Sequence, residues 1–482
     1  MTGTTTTATL DVAPATLLGR TVDYKYVVAA VFVAALFLDI LDTTIVNVAL
    51  RTIGTELQTE SIEWIVLGYT LSLAVWIPAS GWLGDRYGTK RVFLVALVFF
   101  VSGSALCGAA QSIGQLVTFR VLQGVGGGML TPIGVAMMFR AFPPIERARA
   151  ATIVLVPTLV APALGPVLGG LITDTIGWRW IFYVNIPVGV AALVFGLRYL
   201  REHTEPGAGR FDVPGFVLSG FGLAAIIYAL SEGPSVGWAS PVVIVLGIGG
   251  ILSFLLLVWV ETHKPQPMLA LRLLKDRLFA TTNLVMAFSM ASFIGVLFVL
   301  PLYLQGLRGL DPFESGLVTF PQAIGILISS QIAGRIYGRV GPRRLVTGGM
   351  AWAALSVAAF MMLGLETNLW IVRGLVFGRG LGMGFTFVAV QAASYARIAP
   401  SDTGRASAIF ATQRQMSVSI GVALMATVLS GFTSLTATPA DPQRALEGYR
   451  WTFAVATVLA VIGALVATRI RDEDASASMT AH

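Results

Sequence analysis

Two carboxylates lie within the first long apolar run of the chain. The run extends from about residue 26 to residue 50, long enough to cross a bilayer, and contains Asp39 and Asp42 but no lysine or arginine. A charge at the centre of a membrane helix costs at least about 2.5–3.5 kcal/mol on insertion scales. Acids retained there despite this cost usually serve the passage of ions, protons or cationic solutes.

Asp39 and Asp42 are three positions apart, so a helix places them on one face, with Cβ atoms about 5–6 Å apart. Two carboxylates this close in a low dielectric resist joint ionisation, and one that faces a cavity can exchange its proton for a cation. The alternative is that one acid pairs with a base or caps a neighbouring helix. Arg120, in a later apolar run, needs carbonyl or carboxylate partners, and it either tunes the two acids or tethers helices.

The overall composition excludes a soluble protein. The chain has 482 residues, of which 55% are hydrophobic and 12% charged, and its mean hydropathy is +0.79. Its one cysteine, Cys107, lies in an apolar run, and the three histidines lie in polar connections or at the terminus. We therefore expect no disulfide, no metal site and no cofactor. Basic residues cluster in short connectors, as orientation signals do, which argues against nucleic-acid binding despite the net charge of +7.

The elements that must position these side chains are membrane helices. Apolar runs predict an all-α integral membrane protein with fourteen transmembrane helices. The predicted spans are 26–50, 62–82, 93–112, 116–139, 150–172, 180–199, 213–231, 241–260, 280–304, 315–337, 345–364, 369–396, 404–431 and 450–469. With a cytoplasmic N-terminus, most of the 32 lysines and arginines fall on the cytoplasmic side. We expect both termini in the cytoplasm of a bacterium and the helices in its cytoplasmic (inner) membrane.

An internal repeat divides the chain. Gly81, Arg86, Gly88, Lys90 and Arg91 recur at one constant spacing as Gly334, Arg339, Gly341, Arg343 and Arg344, and the same spacing carries Arg120 onto Arg373. This indicates two six-helix pseudo-repeats joined by a two-helix hairpin. The predicted units are a tail over 1–25, a bundle over 26–200, a linker with two extra helices over 201–278, a bundle over 279–470, and a tail over 471–482.

Five segments resemble the major facilitator superfamily, specifically its fourteen-helix drug:proton antiporter branch of the EmrB/QacA type. They are Leu41–Leu50 in the first helix, Gly81–Arg91 between helices 2 and 3, Arg120–Gly128 in helix 4, Gly165–Gly170 in helix 5 and Gly177–Gly189 at the start of helix 6. Singly the glycine motifs have little specificity; five in order are specific. The resemblance extends over about residues 26–470 and implies the superfamily's fold.

The resemblance also assigns roles. It implies proton coupling by Asp39, Asp42 and Arg120. It implies gating by two motifs, the loop between helices 2 and 3 and the glycine motif of helix 5. Their residues are Gly81, Asp85, Arg86, Gly88, Lys90, Arg91, Gly165, Pro166, Gly169 and Gly170. In this interpretation Asp85 pairs with a base and stabilises one gate state; the alternative is a charged turn that only orients the chain. Two departures stand out: Arg51 replaces the branch's usual proline, and Gly338 replaces the acid that would match Asp85.

Several side chains are candidates for lining an apolar substrate cavity. They are Gln123, Trp64, Phe293, Met383 and Phe387. The alternative for each is contact with lipid or with a neighbouring helix, which is where most such residues in membrane helices lie.

The function that these observations predict is export of hydrophobic, often cationic, small molecules in exchange for protons, that is, multidrug efflux and antibiotic resistance. The alternative on the same fold is a dedicated exporter of one metabolite, antibiotic or lipid. Neither a membrane enzyme nor a channel fits, because no cluster of nucleophile, base or metal ligands is evident, and a channel needs no repeated halves. We expect a monomer whose partners are substrate, protons and lipid, with an accessory periplasmic adaptor if the host is Gram-negative.

Overall fold

The computed structural model describes residues 15–17, 20–142, 147–204, 210–264, 267–398, 402–437 and 439–479. A short antiparallel pair, β1 (Ala15–Leu17) and β2 (Arg20–Val22), lies in the predicted tail before the helices. The other regular elements of the described chain are helices, so the all-α fold predicted for the membrane part is confirmed. Eleven helices in the described residues are long and apolar enough to cross a membrane, and the chain is thus a multi-pass membrane protein.

The first half contains seven helical segments. They are α1 (Tyr24–Glu56), α2 (Glu63–Tyr87), α3 (Thr89–Ala109), α4 (Ile113–Ala141), α5 (Arg147–Thr175), α6 (Trp180–Tyr183) and α7 (Asn185–Tyr199). The hairpin that follows consists of α8 (Val213–Val236) and α9 (Pro241–His263).

The second half begins after a 3₁₀ turn at Leu271–Lys275. It comprises α10 (Arg277–Leu302), α11 (Pro312–Thr319), α12 (Pro321–Val340), α13 (Pro342–Phe360), α14 (Leu369–Ser394), α15 (Thr403–Ser430) and α16 (Pro442–Ala467). A π turn at Tyr303–Leu307 extends α10, and a 3₁₀ turn at Asp472–Ala475 leads into the short α17 (Ser476–Met479).

Several helix boundaries differ from the predicted spans, and three of the differences have a local reason. The span predicted over 180–199 is interrupted at Val184, between α6 and α7. The span predicted over 315–337 is broken at Phe320, because Pro321 has no amide hydrogen to continue the helix. The first helix continues past residue 50 to Glu56; Arg51, which stands where the branch has proline, is compatible with that continuation.

The two ends of the bundle are packed differently. We call the end that holds the start of α1 and the end of α16 the tail end, and the opposite end the distal end. At the tail end, one apolar cluster is built by α1–α4 and α7, with Ala411 of α15 at its edge, and a separate one by α10 and α12–α16. At the distal end, a single cluster joins both halves and includes Ile45, Leu67, Val299 and Leu429. The halves are therefore closed against each other distally.

The hairpin lies along the seam between α2 and α15. At the tail end, Phe216 of α8 packs against Trp76 of α2, with ring centroids 5.2 Å apart. Nearer the distal end, the hydroxyl of Thr427 on α15 donates to the backbone oxygen of Leu230 in α8 at 2.5 Å. The hairpin is thus attached to both halves.

Candidate functional site

Asp42 lies in a closed polar network within the first half. Its carboxylate is fully buried, accepting from Arg120 Nη1 at 2.5 Å through Oδ2 and from Gln123 Nε2 at 2.8 Å and Asn185 Nδ2 at 3.0 Å through Oδ1. Ser104 closes the ring, with its oxygen accepting from Asn185 at 2.9 Å. Both carboxylate oxygens are satisfied and face no water, so in this state Asp42 is a sealed ion-pair partner.

Arg120 is held by contacts from three directions. Its Nε donates to the Ile65 backbone oxygen at 3.0 Å, its Nη1 donates to Gln123 Oε1 at 2.7 Å, and its guanidinium stacks 4.1 Å from the centroid of the Tyr69 ring. A permanently charged group can be buried only with such compensation. Arg120 is therefore both a tether between α2 and α4 and the counter-charge of Asp42.

Asp39 has a different environment from Asp42. It is only half-buried, and its described hydrogen bonds come from hydroxyls: Tyr69 at 2.5 Å and Thr131 at 3.4 Å. Because the same Tyr69 ring lies under Arg120, the contacts run in sequence from Asp39 through Tyr69 and Arg120 to Asp42. The two acids predicted to act together are connected by this chain of contacts.

Three members of the network were not singled out from the sequence as functional. Tyr69, Ser104 and Asn185 are fully buried among apolar residues and complete the hydrogen bonding of the acids. Asn185 lies within the motif at the start of helix 6, and a buried amide in a membrane helix is the signal that could have identified it. Tyr69 and Ser104 carry no comparable signal, since both residue types are common in apolar helices.

The predicted gating connector is fixed within its own half. Arg140 Nη2 of α4 lies 3.4 Å from Asp85 Oδ1 of α2, an ion pair between partly exposed side chains. The carboxylate of Glu202, which the sequence analysis did not select, accepts from the amides of Lys90 at 3.0 Å and Arg91 at 3.1 Å. It occupies the space beside Gly88, whose φ of +100° favours glycine. The side chain of Arg86 is exposed, and a Cβ on Gly81 would have no neighbour within 4 Å.

The glycines of the helix 5 motif allow two close approaches. Gly165 and Gly169 face α1, where a Cβ on Gly169 would lie 2.7 Å from the Ile45 oxygen. Gly170 faces the second half, and a Cβ there would lie 2.5 Å from Phe313 Cα of α11. A Cβ on Gly316 of α11 would lie 2.2 Å from the backbone oxygen of Pro166 in α5. The motif thus lies on the seam between halves.

The five predicted cavity residues do not form one group. Phe293, Met383 and Phe387 lie together in the second half, where the Phe293 and Phe387 rings are 5.5 Å apart, edge to face. Gln123 belongs to the sealed Asp42 network. Trp64 contacts the hairpin, donating from Nε1 to Glu232 Oε1 at 2.9 Å. Of the five, only Phe293, Met383 and Phe387 lie close enough together in this conformation to line one cavity.

The fold and the buried ion pair define the class: a multi-pass membrane protein with charged groups buried in its core. Sequence comparison defines the family. The profile described as Major Facilitator Superfamily matches residues 32–212, 211–422 and 282–480. The chain belongs to the major facilitator superfamily, a class of transporters, and the family predicted from the motifs is confirmed.

Relatives of this chain include multidrug resistance proteins. The multidrug resistance protein B homolog of Mycobacterium tuberculosis is 34% identical over 410 residues, covering 83% of this chain and 76% of the relative. The putative multidrug resistance protein MdtD of Cronobacter sakazakii is 31% identical over 442 residues, covering 91% and 93%. These similarities confirm the predicted resemblance to multidrug efflux transporters.

A solved structure shares the fold. It is a bacterial homolog of the human lysosomal transporter Spinster, in an inward-facing and unoccupied conformation, with a TM-score of 0.67 and 17% sequence identity over 95% of this chain and 98% of the other.

Proposed function

We propose that this protein exports hydrophobic, often cationic, small molecules across the bacterial cytoplasmic membrane in exchange for protons. The observation that supports this most is the pair of carboxylates on α1, one sealed against Arg120 and one half-exposed. The names of the relatives support multidrug substrates. The proposed architecture has fourteen transmembrane helices, as two six-helix repeats and a bridging hairpin, with both termini cytoplasmic; the tail end is then cytoplasmic and the distal end external.

We assign different tasks to the two acids. Asp39 is the exchange site, because it is the acid with partial exposure and its described hydrogen bonds come from the hydroxyls of Tyr69 and Thr131. Arg414 of α15, in the second half, is a nearby charged residue. When it is ionised it attracts a cationic substrate, and a bound proton removes that attraction. Asp42 and Arg120 transmit the change, because a proton on Asp42 would leave the buried guanidinium without its counter-charge and favour rearrangement of the network.

The energetics are sufficient for uphill export. A potential of 100 mV is worth about 2.3 kcal/mol per elementary charge moved, so exchange of two protons for one monovalent cation, which moves one net charge, gains this amount. A one-for-one exchange moves no net charge and is driven by the pH difference. The gating segments proposed above act on this cycle: the seam motif Gly165, Pro166, Gly169 and Gly170 brings α5 close to both α1 and the second half, and the connector with Asp85 and Glu202 stabilises the tail end of the first half.

The test uses inverted membrane vesicles that generate a pH gradient by respiration. Addition of a lipophilic cation such as ethidium should dissipate part of the gradient in vesicles with the wild-type protein, as a fluorescent weak base reports. Asp39→Asn should abolish this response and weaken binding of the cation, because the neutral amide, like a protonated carboxyl, does not attract it. Asp42→Asn should abolish it with membrane insertion intact.

Asp23→Asn is the matched control, because Asp23 precedes α1 and its side chain is exposed. It should retain the wild-type response. A wild-type response in both Asp39→Asn and Asp42→Asn would refute the assignment. A compound panel in a drug-sensitive host would distinguish broad efflux from export of a single compound.

A further inference from the structure

We propose that Arg51 and Glu60 of the first half form a clamp on the segment Ser434–Thr436 of the second half, and that this clamp sets how readily the distal end opens. Arg51 and Glu60 flank the end of α1, and Ser434–Thr436 lies in the connector between α15 and α16. The inference rests on the proposed function only for its place in a transport cycle. The contacts themselves are independent of the substrate.

Glu60 holds one side of the segment. Its carboxylate accepts from the Ser434 hydroxyl at 2.6 Å, the Thr436 hydroxyl at 2.7 Å and the Leu435 amide at 2.9 Å. Burial opposes ionisation of this carboxylate, but the hydrogen bonds outweigh it and lower the pKa of Glu60. Glu60 therefore remains an anion, and charge-assisted bonds of this kind are stronger than neutral ones.

Arg51 holds the other side and also reaches α10. Its Nε donates to the Thr436 backbone oxygen at 3.2 Å, and its Nη1 donates to the Gln305 backbone oxygen at 2.8 Å. The Gln305 side chain returns the contact by donating to the Val48 backbone oxygen at 2.8 Å. One arginine thus connects α1 to two separate elements of the second half.

The clamp uses a residue at which this chain departs from the resembled branch. Arg51 occupies the position at which the resembled branch usually has proline, and proline has neither side-chain donors nor an amide hydrogen. The side chain that this position supplies here is the one that spans the seam. Two clefts of about 320 and 290 Å³ flank Arg51 on the distal face, so part of the clamp borders solvent, while Leu435 of the clamped segment packs into the distal apolar cluster.

The clamp explains what holds the distal end closed besides apolar contact. Charged hydrogen bonds at a solvent border are geometrically demanding but easily exchanged for water, which suits a contact that must break and re-form. Weakening it should favour the distally open state, whereas the packing within each half should not change.

The experiment measures distances between spin labels at Gln111→Cys and Glu447→Cys by pulsed electron paramagnetic resonance. Both positions are exposed and lie near the distal end, one in each half, and Cys107 is buried and stays in place. The labelled protein, without substrate, should show mainly the short distance. Glu60→Gln, which is nearly isosteric, and Arg51→Ala should each raise the ratio of long to short distances about tenfold, the factor expected from one hydrogen bond to a charged group.

The matched control is Arg444→Ala, an exposed arginine at the start of α16, which should leave the distances unchanged. Unchanged distances in both clamp variants would overturn the proposal, as would an equal shift in Arg444→Ala. Because no substrate or gradient is used, a failure of drug export leaves this result interpretable, and a failed clamp leaves proton coupling at Asp39 open.

Discussion

Asp39 and Asp42 are neighbours on one helix, yet their partners give them different chemistry. Asp42 is surrounded by donors from α4 and α7, whereas Asp39 is partly exposed, accepts hydrogen bonds from hydroxyl groups and has Arg414 of α15 as a charged neighbour. The difference arises because the two side chains, three residues apart on α1, face different neighbours. It is the basis for assigning exchange to one acid and transmission to the other.

Arg120→Ala should strongly destabilise the protein. Removal of the guanidinium leaves Asp42 as a buried charge without compensation, which costs about 3–5 kcal/mol when one partner of a buried pair is deleted. The double variant Arg120→Ala/Asp42→Asn should recover much of the loss. Thermal unfolding of the purified protein in detergent measures both.

Arg373→Ala is the control for this prediction, because Arg373 matches Arg120 in the repeat but stacks on the Trp370 ring, 4.6 Å from its centroid. It should cost less than about 1 kcal/mol. A single variant Arg120→Ala as stable as the wild type would show that the Asp42 site is hydrated rather than sealed.

Whether a site residue could be predicted depended on the free-energy cost of placing its side chain in an apolar helix. Asp39, Asp42 and Arg120 were identifiable because a charge in an apolar run is expensive and needs a reason. Tyr69 and Ser104 carry little cost, so only packing reveals that they complete the network. Glu60 and Glu202 lie in polar connectors, where acids are ordinary, and only the folded chain shows what they bind.

Among the secondary-structure elements, α5 and α11 make one of the close contacts between the halves. Gly316→Leu should force the seam apart, because even a Cβ would lie 2.2 Å from the Pro166 oxygen. Ser315 is buried, and its variant Ser315→Cys should react faster with a water-soluble maleimide when combined with Gly316→Leu than when Gly316 is retained.

Gly334→Ala is the matched control for the seam, since a Cβ on Gly334 has no neighbour within 4 Å. It should leave the maleimide rate unchanged. If Gly316→Leu reacts no faster than the control, the seam does not limit opening.

The base of the hairpin depends on Asp212. This residue precedes α8, and its carboxylate accepts from the Gly215 amide at 2.9 Å, from the Met268 amide at 3.2 Å and from Lys264 Nζ. Burial opposes ionisation, but the Lys264 bond and the amides outweigh it and lower the pKa of Asp212 below its ordinary value. Glu261 of α9 is the other acid that faces it.

A lowered pKa fixes the sign of the pH dependence. The stabilisation by Asp212 is complete above its ordinary value of 3.8 and is lost as the pH falls through the lower folded value. Asp212→Asn should therefore lower the Tm at pH 7, and the difference from the wild type should shrink below about pH 4. A difference that is constant over pH 3–7 would contradict a role for the charged form.

The helix boundaries show which elements the sequence predicted well. Long apolar runs such as α3 and α9 were located to within a few residues, because hydrophobicity alone determines them. The breaks at Val184 and Phe320 lie inside apolar runs whose hydropathy shows no interruption, although Pro321 marks the second break in the sequence. The 3₁₀ turn at Leu271–Lys275 lies within the linker predicted over 201–278, where polar and apolar residues alternate without a run long enough to define a helix.

For the whole molecule, the packing has a direction. The halves share one apolar cluster distally and form two mainly separate clusters at the tail end. With the proposed orientation, the molecule is closed to the outside. The two halves can separate on the cytoplasmic side, where a substrate for export would bind.

The central claim, that a proton gradient alone drives export, is tested most directly with purified protein in proteoliposomes. An imposed pH gradient, without ATP or sodium, should drive ethidium into the acidic compartment against its concentration gradient, and the Asp39→Asn protein should only equilibrate it. Accumulation by the Asp39→Asn protein equal to that of the wild type, or no accumulation by wild-type protein that still binds the compound, would contradict the account.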